Sequence, residues 1–159
     1  MRSIAHALAL LAVAVCAASA SAATTLVFRR ADGSAITFPK TVRTWCDTGG
    51  LHAVGFGTIG QSHWQLGIAR MNVRSGRVLP YSWQRPNGVE LFVFDAKTRN
   101  EASAGAEGSH GRVEPRRASC ARGARVEIAV SGVIASEFSD GKPVRVSGTF
   151  VGRVGARPR

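Results

Sequence analysis

Asp32-Gly33, Gly49-Gly50, Gly60-Gln61-Ser62, Ser75-Gly76, Asn87-Gly88, Arg122-Gly123 and Asp140-Gly141 cut this chain into short stretches. Between these turns the residues favour β-branched and aromatic types over helix formers, which is the pattern of an all-β protein. Asp-Gly and Asn-Gly supply the positive φ that tight turns need. The first hairpin is expected from Thr24 to Arg30, a turn at Ala31-Asp32-Gly33, and a return strand from Ser34 to Phe38 that Pro39 ends.

Alternation then assigns faces. Val42, Thr44 and Cys46 share one side of a strand, and Arg43, Trp45 and Asp47 the other; the cysteine side is the buried one. His52 to Thr58 reads as a Gly-rich strand, and His63 to Val73 as its partner with Trp64, Leu66 and Ile68 inward. Arg77 to Trp83 follows, then Val89 to Asp95, where Leu91-Phe92-Val93-Phe94 is apolar on both faces. Asn100 to Gly111 has no large apolar residue and is expected to be a mobile loop. Arg112 to Ala121, Ala124 to Phe138 and Val144 to Val151 complete the strands, with turns at Arg122-Gly123 and Asp140-Gly141-Lys142-Pro143. The architecture expected is an antiparallel β-sandwich, or a small closed or partly open barrel, built from consecutive hairpins. A membrane barrel fits poorly, because most runs are shorter than a lipid-spanning strand and carry Arg.

The N-terminus has a different grammar. Arg2, an apolar run from Ile4 to Val15 and a small-residue stretch to Ala22 form the n-region, h-region and cleavage site of an export signal. The run is too short to span a bilayer. Residues 1–22 are therefore expected to be removed, leaving one β domain over 23–151 and a basic Gly/Pro-containing tail over 152–159. Cys16 follows Val15, whereas a lipidation site wants a small residue there, so it is read as part of the signal. Cys46 and Cys120 are then expected to form a disulfide in an oxidising, periplasmic or extracellular setting. They are not a CxxC pair, which argues against a thioredoxin-like role.

The chain has 21 Lys+Arg against 10 Asp+Glu, a formal charge of +11. That balance draws polyanions, although only Lys40, Lys97 and Lys142 are lysines and an Arg, Ala, Gly and Val excess is also what GC-rich coding gives. Arg112, Arg116, Arg117, Arg122 and Arg125 cluster on two strands that the Arg122-Gly123 turn would set side by side. For an exported protein the polyanions in view are lipid head groups, lipopolysaccharide or acidic glycans, and nucleic acid is not the expected partner.

Catalytic motifs are absent. His52, His63 and His110, with Asp47, could in principle form a mixed metal site or serve a hydrolase, but there is no HxH, no HExxH and no zinc-type Cys/His spacing. Ser62-His63 and Ser109-His110 are adjacent pairs, whose side chains point to opposite faces of a strand. Trp45, Trp83 and Tyr81 suggest a sugar-stacking platform, with Trp64 in the core register. The leading expectation is a non-catalytic exported binding or interaction domain, without cofactor or metal, whose partner is an envelope polyanion or another exported protein. Polyanion binding through the Arg-rich strands is the second, and a His-based hydrolase or metalloenzyme the third.

Overall fold

The structure, a computed structural model, describes residues 26–36, 38, 41–57, 60–136 and 143–158. The expected export signal at 1–22, the expected strand start at Thr24-Thr25, Pro39 and most of the Asp140-Gly141-Lys142-Pro143 turn lie outside the described residues. Among those described, the strands are β1 (Val27–Arg29), β2 (Ala35–Ile36), β3 (Thr41–Cys46), β4 (Gly50–Phe56), β5 (His63–Ala69), β6 (Leu79–Ser82), β7 (Val89–Asp95), β8 (Asn100–Ser103), β9 (His110–Arg117), β10 (Arg125–Ser136) and β11 (Val144–Arg153). A single 3-10 turn, Arg70–Asn72, follows β5. All the strand ladders are antiparallel.

The strands run in the order β2-β1-β11-β10-β8-β7-β5-β4-β3, with β9 on β10 and β6 on β9. β10 makes this a curled sheet. Along one edge its residues Glu127 to Val133 pair with β9, while Ala135 and Ser136 pair with β8. Its other edge pairs with β11 from Arg125 to Ile134. One long strand thus hands the sheet from one wall to the other, and the result is a half-barrel.

A seam brings β3 back to β11. Thr44 forms an isolated parallel bridge with Val154, its Oγ1 donates to the Arg153 carbonyl at 2.6 Å, and the Gly155 N–H donates to the Thr44 carbonyl at 2.8 Å. The Cys46–Cys120 disulfide, with a Cα–Cα distance of 5.5 Å, ties the end of β3 to the connection between β9 and β10. β11 therefore extends beyond Gly152, and the buried Val154 joins the core from within the stretch read as a tail.

Inside the curl, Trp64, Phe28, Phe150, Ile128 and Ile134 are fully buried. Trp64 and Phe150 meet at 5.3 Å between ring centroids, and Phe28 packs edge-on to Phe38 at 5.4 Å. Trp64, Leu66 and Ile68 point inward as their alternation predicts. Asn87 and Gly88 both have positive φ, 51° and 73°, as an Asn-Gly turn requires.

The loop expected from Asn100 to Gly111 is also overturned. Asn100–Ser103 is strand β8, and its link to β9 is tightly held rather than a mobile loop. Ser109 is buried; its Oγ donates to the Ser103 carbonyl at 2.7 Å and accepts the Ala135 N–H at 2.8 Å. Ala102, which pairs with Ser136 on β10, is buried too, as is Ala104, whose N–H donates to the Leu91 carbonyl at 2.7 Å.

Candidate functional site

The outer face of the β1-β11-β10-β9 wall carries the charge. On β9, Val113 and Pro115 are buried, so Arg112, Glu114 and Arg116 face outward. The ladder with β10 shifts register between Glu127 and Ile128, and this irregularity leaves Arg116 and Arg117 both exposed. On β10, Val126, Ile128 and Val130 point inward, so Arg125 and Glu127 face out. Arg122 lies in the exposed turn before β10. Of the five arginines expected on two strands, four stand on the adjacent β9 and β10, and Arg122 lies at their rim.

The fold adds three more that no local pattern singled out. Arg29 on β1 stands directly opposite Arg145 on β11, and Arg153 on β11 directly opposite Arg125 on β10. All four are exposed. Among the described residues, Glu114 lies 3.7 Å from Arg116 and Glu127 3.6 Å from Arg125 on this face. Arg112 donates from Nε to Ser131 Oγ at 3.2 Å, and Arg153 Nη1 to the Gly123 carbonyl at 3.1 Å. Directly opposed like charges destabilise a sheet by about 0.2–1 kcal/mol per pair, so two such pairs are an unfavourable arrangement for folding alone.

The histidines do not converge. His63 opens β5 and bonds the Gln61 carbonyl at 2.6 Å; His110 opens β9 on the other wall and bonds the Gly108 carbonyl at 3.0 Å. His52 does meet Asp47. Its Nε2–H donates to Asp47 Oδ1 at 3.0 Å, and the same oxygen accepts the Gly49 N–H at 2.8 Å. The hydrogen bond from His52, helped by Gly49, holds the Asp47 carboxyl below its usual pKa. Among the described residues no group of three or more His, Cys, Asp or Glu side chains could hold a metal ion.

The register sets Trp45, His52, Gly67 and Glu90 in one row across β3, β4, β5 and β7. Trp45 stacks on His52 at 5.3 Å with planes 16° apart. The Glu90 side chain folds over the bare Gly67, and a hollow of about 100 Å³ is lined by Trp45, His52, Gln65, Glu90 and Phe92. It is far smaller than the roughly 300–1,000 Å³ of a typical ligand cleft, and no hydroxyl or thiol lines it. The sugar platform does not assemble either: Tyr81 is buried, Trp45 is covered by His52, and Trp83 lies in the turn after β6.

Ser62 and Ser109 are structural. Ser62 Oγ accepts the Ala96 N–H at 2.9 Å, and Ser109 holds the β8–β9 link. No helix of the described residues is long and apolar enough to cross a membrane. Comparison with family models, with curated proteins and with solved structures finds no match for the chain.

Proposed function

We propose that this protein is an exported binding domain that takes polyanions on the outer face of β1, β11, β10 and β9. The observation that carries this reading is the pair of opposed arginines, Arg29 with Arg145 and Arg125 with Arg153. Each brings two guanidinium groups to neighbouring positions, where a phosphate or sulfate between them would relieve the repulsion and accept forked hydrogen bonds. Arg112, Arg116 and Arg117 extend the same face along β9. The Cys46–Cys120 bridge supports an oxidising compartment, where phosphorylated lipids and acidic glycans are the available polyanions.

Retention on heparin across a salt series tests it. The log of the binding constant should fall linearly with log salt. Arg145→Gln and Arg153→Gln should each flatten that slope by about one. The same substitutions should raise folding stability by about 0.2–1 kcal/mol, because each removes a like-charge pair. Weak retention that both variants leave unchanged would show that the charge is compositional.

A further inference from the structure

Among the described residues the exposed large hydrophobic side chains are Phe56, Met71, Val78 and Trp83, and the last three lie on one excursion of the chain between β5 and β7, residues 70–88. Met71 is 76% exposed, Val78 52% and Trp83 43%. The excursion also carries exposed Arg70, Arg74, Arg77 and Arg85, and has no Asp or Glu.

These side chains stand on a fixed frame. The buried Asn72 donates from Nδ2 to the Asn87 carbonyl at 2.7 Å, and Asn87 in turn donates to the Pro80 carbonyl at 2.7 Å, so both ends of the excursion are tied together. Gly76 N–H donates to the Pro115 carbonyl at 2.7 Å, and Ser75 Oγ accepts the Ala118 N–H at 3.0 Å, which fastens its middle to β9. Met71 and Val78 line one open groove of about 410 Å³, with Arg77 on its rim.

We infer that the edge of the half-barrel formed by β6 and its flanking turns docks on an anionic lipid surface, with Met71, Val78 and Trp83 entering the interface and the four arginines meeting the head groups. A second copy is a poor occupant, since a self-contact would appose the same arginines. Apolar side chains and tryptophan interleaved with Arg, without acids, suit the boundary between head groups and acyl chains, where Arg stems lie along apolar surface and their ends reach phosphate. The inference rests on residues separate from the Arg29–Arg145 face and would hold with that face idle. The two surfaces adjoin, because Pro80 on β6 is the register partner of Arg112 on β9.

Co-sedimentation of the protein, in the processed form that cells accumulate, with vesicles of phosphatidylcholine alone or mixed with phosphatidylglycerol tests this. Binding should require the anionic lipid and should persist in part at salt that elutes the protein from heparin. Met71→Ser/Val78→Ser/Trp83→Ser should weaken vesicle binding at least about tenfold while leaving heparin retention and the melting temperature unchanged. Trp83→Phe should retain most of it. Arg70→Gln/Arg74→Gln/Arg77→Gln/Arg85→Gln should lower it at least about a hundredfold at low salt. Vesicle binding untouched by the triple substitution, or equal on neutral vesicles, would overturn the inference while leaving the polyanion reading standing. Loss of heparin retention alone would overturn that reading and leave this one.

Discussion

The hydroxyl of Tyr81 lies where a side chain on Gly132 would have to begin: a β-carbon there would stand 2.5 Å from it and 2.5 Å from the His110 carbonyl. Gly132 pairs with Gly111, and Gly111 with Tyr81, so the phenol lies across two bare positions in neighbouring strands. An aromatic ring laid over strand glycines restores packing that the missing side chains would otherwise forfeit. Gly132→Ala and Gly111→Ala should each destabilise the fold by about 1–3 kcal/mol in urea denaturation, through overpacking. Burial pushes the Tyr81 pKa up to about 12. The unfolded chain releases this proton near pH 10 and the folded one does not, so the stability it contributes is complete below pH 10 and is lost as pH rises through about 12. Tyr81 is the single tyrosine, so tyrosinate absorbance reports on it alone. A folded-state midpoint near 12, and loss of the alkaline decline in Tyr81→Phe, are expected; a midpoint near 10 would mean that the phenol is open to solvent.

The core of this arrangement was legible in the sequence wherever a signal was local. Period-2 alternation placed Trp64, Leu66 and Ile68 inside, Asn87-Gly88 marked its turn, and Cys46 had Cys120 as its partner once Cys16 was assigned to the expected export signal. β8 was not legible, because its buried residue Ala102 looks the same in a strand as in a loop until the end of β10 is known to pair beside it. The candidate site was half legible. Arg112, Arg116, Arg117 and Arg125 were grouped by a turn between consecutive strands, whereas Arg29 meets Arg145 only through a pairing of the first strand with the last.

The Cys46–Cys120 bridge and Thr44 close the same seam from two directions, one toward the β9–β10 connection and one toward β11. Protein lacking residues 1–22, denatured without reductant, should therefore titrate no free thiol. Cys46→Ala/Cys120→Ala should lose on the order of 4 kcal/mol, since the bridge closes a loop with a sequence separation of 74. Thr44→Val keeps the shape but removes the donor to the Arg153 carbonyl, and should cost about 1 kcal/mol. Hydrogen exchange should show β3 opening well before β10 in the cysteine-free variant. Unchanged protection of β3 would place the closure of the half-barrel elsewhere.

Arg30 at the end of β1 reaches Asp95 at the end of β7, an ion pair between the two walls. The Asp95 side chain is only 5% exposed. It also accepts Thr98 Oγ1 at 2.7 Å and the Lys97 N–H at 3.2 Å, so its carboxylate is satisfied from both its own turn and the opposite wall. Removing one partner of a buried pair leaves a charge without its counter-ion, which typically costs about 3–5 kcal/mol, and replacing both removes much of that penalty. Because Arg30 is partly open to solvent, Arg30→Met is expected near the lower end of that range, about 3 kcal/mol. In Asp95→Asn the amide oxygen can still accept the Lys97 N–H while the amide nitrogen donates to Thr98 Oγ1, so Arg30→Met/Asp95→Asn should be more stable than the sum of the single losses by at least about 1 kcal/mol. Urea denaturation of the four proteins closes this cycle. A coupling near zero would mean that Asp95 is held by its own turn and that Arg30 joins the two walls through packing rather than charge.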